Sequence, residues 1–358
     1  MSTVLELGLD TFGDVTEDQA GQLESQAQAI RNVIDQGVLA DQLGVAFFGV
    51  GEHHRADFAV SSPETVLAAI AGQTSRIALG SAVTVLSSDD PVRVFQRFAT
   101  LDAISSGRAE VILGRGSFTE SFPLFGFDLG QYDELFEEKL DLFVRLLAEG
   151  EVSWSGNTRT SLAQQRVYPT TESGSLKTWV GVGGSPESVV RAAHYGLPLM
   201  LAIIGGDPQR FAPYIDLYRR ALGEFGFPSL PVGLHSPGYL ADSDDQAREE
   251  LWPYFKEARD RVGAQRGWPP MTRAQFEHEA SAHGSLYVGS PETVAAKIAR
   301  TASILGADRF DLKYSAGRLP HAKLMRSIEL YGSRVIPMVH ELAADLSPEG
   351  LSTRAGAR

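Results

Sequence analysis

The sequence predicts an α/β protein folded as one (β/α)8 TIM barrel. Short β-branched apolar runs alternate with longer stretches of helical period, and the alternation repeats eight times. Size agrees: 358 residues, 43% hydrophobic and 22% charged, suit one large soluble domain. The domain is placed at residues 1–346, followed by a polar, small-residue tail at 347–358 that is expected to fray.

The first predicted strand is Leu5–Leu9, followed by a helix over Glu24–Leu43 with Ala27, Ile30, Val33, Ile34 and Val38 on one face. Gly44 ends that helix. Strand Val45–Val50 and helix Pro63–Gln73 come next, then strand Ile77–Val85 and helix Pro91–Ser105. Strand Ala109–Gly114 and helix Tyr132–Glu149 complete the first half. Val152–Val167 breaks the rhythm with a Trp154-Ser155-Gly156-Asn157 turn and reads as an inserted hairpin. The second half pairs Thr178–Val182 with Ser185–Tyr195, Leu199–Ile203 with Pro208–Glu224, and Pro231–Leu240 with Ser243–Val262. It closes with Arg309–Tyr314 and His321–Leu342. The remaining stretch, Gly263–Tyr287, reads as a lid-like insertion before the last βα unit.

Composition excludes several classes. With 32 Lys+Arg against 45 Asp+Glu, the net charge of −13 argues against nucleic-acid binding. No cysteine is present, so disulfides, thiolate metal sites and Cys nucleophiles are absent. No signal-like start and no apolar run long enough to span a membrane are readable, and the expected location is cytoplasmic.

One idiom recurs three times: Ser-Pro-Glu at Ser62, Ser185 and Ser290, where Ser caps, Pro opens the helix and Glu meets the positive dipole end. Capping alone explains such an idiom. Only the middle copy follows a strand and a glycine run, Gly181-Val182-Gly183-Gly184, so only there does the helix start also suit a phosphate. Glu52-His53-His54-Arg55 follows the second strand, at the barrel face where catalytic groups collect. Neighbouring side chains diverge there, so one histidine can enter a pocket as acid/base, whereas a metal site built from these residues is not expected. The bland alternative is a surface loop. Gly114-Arg115-Gly116 is either an anion-binding turn or a tight turn with a solvated arginine. No Gly-x-Gly-x-x-Gly opens a helix and no Gly-x-Ser-x-Gly elbow exists. His194 and His340 read as structural, His235 as a strand residue able to face the interior, and His278 and His283 as lid residues. Asp10, Thr11, Phe12, Phe118, Phe122, Phe125 and His235 are candidate pocket linings.

These segments resemble the bacterial luciferase-like flavin-dependent monooxygenases over nearly the whole chain. The likeness runs in order through Phe47–His54, Leu79–Leu86, Pro91-Val92-Arg93, Leu101–Arg108, Gly114-Arg115-Gly116, Phe125-Gly126, Gly183–Ser188 and Gly196–Leu199. The resemblance implies a luciferase-like barrel that binds reduced FMN, supplied by a separate flavin reductase, and uses O2 to oxygenate a small organic substrate. It implies His53 as catalytic acid/base, preceded by Glu52. It implies a cis peptide between Ala82 and Val83 whose bulge supports the flavin ring. Arg115, Gly183, Gly184, Ser185 and Ser188 match the cofactor-phosphate site. It also implies a homodimer, for which the apolar helix Pro91–Ser105 is a candidate face. Two positions depart from the family: Asp133 stands where a second phosphate-contacting arginine is usual, and Gly184 where a glutamate is. A deazaflavin-dependent hydride-transfer enzyme, a non-catalytic flavin-binding subunit and a metal-dependent hydrolase are the alternatives.

Overall fold

In the computed structural model, residues 4–116 and 118–346 are described, and the proposed tail at 347–358 lies outside them. Eight parallel strands close a barrel: β1 (Glu6–Thr11), β2 (Phe47–Val50), β3 (Ala78–Ser81), β4 (Ala109–Gly114), β5 (Lys177–Val182), β6 (Leu199–Ala202), β7 (Val232–Leu240) and β8 (Arg309–Lys313). Closure is made by β8 against β1, with Glu6 opposite Arg309 and Asp10 opposite Lys313. The strands are buried on both faces, which is why they read as near-continuous apolar runs rather than alternating ones.

Most of the core lies between strands and helices. Leu7, Leu9, Phe48, Val50, Leu79, Val111, Leu113 and Val180 point outward against the helical ring and are all buried. The barrel interior holds a smaller set: Phe47, Ile112, Trp179 and Met200, with Ala78 and Val83 packed on it. Facing glycines make room for these side chains. A Cβ at Gly80 would lie 2.8 Å from the Phe47 ring, and one at Gly233 would lie 2.5 Å from the Met200 methyl. Beneath this layer Arg309 is fully buried between Glu110 and Asp311.

The predicted strand Ile77–Val85 is interrupted. β3 ends at Ser81, the Ala82–Val83 peptide is cis, and Thr84–Val85 pairs instead with Leu113 and Gly114 of β4. The hairpin forms between Val152–Trp154 and Leu162–Gln165. Of the three Ser-Pro-Glu starts, Ser185 and Ser290 accept the expected amide hydrogen bond and Ser62 does not.

The insertion is larger than the sequence suggests. The helix Asp244–Arg266 buries only Ala247, Leu251 and Gly263, too little for a wall of the barrel. It belongs to an excursion that continues through a second helix, Arg273–Ala280, and a short strand, Tyr287–Gly289, added to the end of β7. The wall helix before β8 is Pro291–Leu305, which buries nine residues including Val294, Ile298 and Leu305. The apolar residues of helix Pro91–Ser105, the suggested pairing face, turn inward; Ile104 is its one large exposed hydrophobic. Among the described residues no helix is long and apolar enough to cross a membrane.

Candidate active site

The C-terminal ends of the strands carry nearly every residue singled out from the sequence. Two neighbourhoods form there, an aromatic-walled histidine and an anion cradle, joined by the Ala82–Val83 bulge.

His53 leaves β2 into an enclosure of three rings. Phe58 stacks on its imidazole at 4.4 Å between centroids, Phe12 lies at 4.7 Å and Phe118 edge-on at 5.1 Å. Its backbone amide donates to the Val60 carbonyl at 3.0 Å, which fixes the loop that presents it. Burial among these rings pushes the imidazole down to about 3, outweighing the carboxylates of Asp14 and Asp57. The ring is therefore neutral near pH 7 and offers one donor and one acceptor nitrogen. The unfolded histidine protonates near 6.5, so the neutral form stabilises the fold above that pH and the contribution is lost on acidification toward 3. From this group the unfolding free energy falls by about 1.4 kcal/mol per unit between pH 6.5 and about 4, so urea denaturation of His53→Gln should lack that contribution to the native chain's pH slope. An unchanged slope in the variant would contradict the buried neutral ring.

Glu52 points elsewhere, as the alternation of neighbouring side chains requires. Its Oε1 accepts from His54 Nε2 at 3.0 Å and its Oε2 from the Val85 amide at 2.9 Å. It ties the loop after β2 to the chain just past the cis peptide. Val83 itself enters the barrel: a Cβ at Gly114 would lie 2.6 Å from its Cγ2, and one at Gly181 would lie 3.1 Å from its Cγ1. Small residues on β4 and β5 thus make the space in which the bulge sits.

The cradle lies between β4 and β5. Gly184 adopts φ +100°, a conformation that favours glycine, and nothing lies within 4 Å of a Cβ placed on Gly183. Behind this open backbone the helix Pro186–His194 begins. Ser185 caps it, accepting the Ser188 amide at 3.2 Å and donating to Ser188 Oγ at 2.8 Å. Arg115 Nη2 donates to the same Ser188 Oγ at 3.1 Å while its guanidinium lies 5.1 Å from the Tyr132 ring centre. A helix start, two hydroxyls and a cation around an open glycine turn are the donor set an anionic phosphate requires. The residues present fit that group.

Two features of the cradle escaped sequence reasoning. Arg191 brings a second guanidinium to 3.4 Å from Ser188 Oγ and is also held by Glu137. The i, i+3, i+6 spacing of Ser185, Ser188 and Arg191 would have revealed it. Asp133, in the first turn of the helix Tyr132–Leu146, turns a largely exposed carboxylate to pair with Arg115.

The remaining candidates divide. Thr11 hydrogen-bonds Ser315 at 2.9 Å, and Asp10 pairs with His235 inside the barrel. Phe122 is fully buried against Tyr132, whereas Phe125 is exposed and edges on His54. His194, His278 and His283 lie on the outer surface, and His340 meets the Leu5 carbonyl. The end of the long insertion helix reaches the mouth, where Gln265 accepts from Arg55 at 3.0 Å and Arg261 pairs with Asp57. A cavity of about 430 Å³ opens beside this contact, lined by Val15, Leu23, Arg55, Asp57, Arg261 and Arg318 among others. Among the described residues no three His, Asp or Glu side chains converge as a metal cage.

Known structures share the barrel. The chain superposes on the monooxygenase RslO1 of Streptomyces bottropensis with a TM-score of 0.80 at 24% identity, covering 93% of this chain and 99% of that one. It superposes on the oxygenating constituent of the 3,6-diketocamphane monooxygenase of Pseudomonas putida, solved with FMN, at 0.72 and 19%, covering 93% and 98%. An F420-dependent secondary alcohol dehydrogenase matches at 0.71 and 17%, covering 94% and 99%. These likenesses show a shared barrel. Residues 11–309 match the family model described as luciferase-like monooxygenase. With more than half its length so matched, the chain belongs to the luciferase-like monooxygenase family.

Proposed function

We propose that the protein is an FMN-dependent monooxygenase, taking reduced flavin from a separate reductase and O2 as co-substrate to oxygenate a small organic molecule. The carrying observation is the phosphate-ready cradle at Gly183, Gly184, Ser185, Ser188 and Arg115, one bulge away from an aromatic-walled histidine. Arg115, Ser185 and Ser188 would hold the cofactor phosphate, and Ala82–Val83 would support its ring. Bound there, reduced flavin supplies the two electrons that activate O2. His53, neutral and enclosed by Phe12, Phe58 and Phe118, orients a reacting oxygen by hydrogen bonding and moves a proton at an imidazole nitrogen. The same rings keep water from the reacting centre. We place the protein in the cytoplasm as a homodimer.

The test is anaerobic titration with reduced FMN followed by exposure to O2. Micromolar binding and oxygen uptake are expected. Likeness to the F420-dependent dehydrogenase favours a second reading, hydride transfer on a deazaflavin in the same cradle. That enzyme would bind reduced F420 in preference to reduced FMN and turn over without oxygen.

A further inference from the structure

The buried pair formed by Asp10 and His235 plays no part in the scheme above. Asp10 is fully buried on β1 and His235 sits on β7, the two strands lying on either side of β8. His235 Nδ1 meets Asp10 Oδ2 at 2.7 Å, and the second carboxylate oxygen, Oδ1, has no hydrogen-bond partner. A buried carboxylate is tolerated when a counter-charge is held against it. The imidazole is that counter-charge, and Nδ1 carries the hydrogen in the bond.

The other ring nitrogen is free to act. No described residue hydrogen-bonds His235 Nε2, and the side chain keeps 14% exposure, so that edge opens toward the mouth. Phe12 lies parallel to the His235 ring at 6.2 Å and tilted against the His53 ring at 4.7 Å. Two histidines thus flank one phenyl ring in opposite surroundings: His53 among rings, His235 on a carboxylate.

We propose that Asp10 and His235 form a second proton-transfer pair at the barrel mouth, with His235 Nε2–H as donor to the ligand bound above it and His53 as the separate proton acceptor. The inference rests on the flavin reading of the mouth and extends it by naming the acid. In the step His235 gives its Nε2 proton to a ligand oxygen or nitrogen, Asp10 remains ionised, and solvent returns the proton to His235.

The charges around His235 favour this assignment. Burial alone would lower its protonation, but Asp10, by charge and hydrogen bond, and Asp311 from β8 reverse that and hold it above the ordinary imidazole range. Lys313, also from β8, opposes them and is itself engaged by Asp14 and the Ser315 carbonyl. From β6 the opposed residue is Ala202, which brings no charge. Paired groups driven apart in this way are how an acid and a base coexist at one pH.

The test is a proton-NMR titration of the full chain with ring-labelled histidine, His235→Gln and His53→Gln serving as assignments. His235 should titrate above free imidazole, and Asp10→Asn should bring its midpoint down. Oxidised FMN, the probe, should shift the His235 ring signals and leave those of His340, at the far end of the barrel, in place. A merely structural ion pair would lower the melting temperature on mutation and ignore the probe. A native His235 midpoint at or below that of free imidazole, or one unmoved by Asp10→Asn, overturns the pair. FMN fluorescence quenched on binding with His235 unresponsive overturns the donor role alone. No quenching, together with no binding of reduced FMN in the anaerobic titration, overturns the cofactor reading and the donor role with it, while the titration still decides the pair.

Discussion

Arg115→Ala combined with Ser185→Ala should weaken reduced-FMN binding by roughly 100- to 20,000-fold. On the proposed assignment each change would remove a hydrogen bond to a charged phosphate, worth about 1.5–3 kcal/mol, and each 1.4 kcal/mol is a factor of ten. The residual affinity would come from Arg191, which approaches Ser188 Oγ from the helix side, and from the positive end of the helix behind Gly184. Ser185 also caps that helix, so the variant should lose about 1 kcal/mol of stability, and a thermal melt separates this from the binding loss. Asp133→Asn is the opposing control. It removes the carboxylate that now pairs with Arg115 and should tighten binding. Fluorescence or calorimetric titration showing wild-type affinity in the double variant would remove the assigned phosphate site.

The second large effect lies at the other end of the barrel. Arg309→Ala should destabilise the fold by about 3–5 kcal/mol, because it strips the cation from two buried carboxylates. Arg309 Nη1 donates to Glu110 at 2.7 Å, Nε to Asp311 at 2.8 Å, and the guanidinium lies 3.4 Å from the Phe47 ring centre. Lys177 at 2.9 Å keeps part of the compensation at Glu110, whereas Asp311 keeps only the charge of His235, with which it shares no hydrogen bond. Burial already lifts Asp311 to about 6 with the arginine present. Without it both carboxyls will take up protons more readily in the fold than in the unfolded chain. The stability loss should therefore be smaller at pH 5 than at pH 8, as read by urea midpoints. Adding Glu110→Gln and Asp311→Asn should restore much of the loss; no recovery would mean that packing on Phe47 and Trp179, rather than charge, is what Arg309 contributes.

The eight strands were legible because each is buried on both faces and so stands out as an apolar run between polar turns. Ile77–Val85 looked continuous for the same reason. Its apolar residues persist across Ala82–Val83, and the cis peptide between them was expected only through family resemblance. The sequence pairs Ser243–Val262 with a barrel strand because a serine cap and good helix formers mark a helix there, and local signals say nothing of what a helix packs against. The helix Pro291–Leu305 carried the broader apolar face that a wall demands.

At the mouth, what lay in the chain's own order could be read: the glycine run, the serine cap behind it, and the histidines after β2. These are local devices, set by backbone freedom, capping and strand direction. The Asp10–His235 bond joins residues 225 positions apart, and Arg309 reaches Glu110 across 199. No periodicity encodes such pairs. Closing the barrel brought them together, and the low dielectric inside it made each charge depend on its partner.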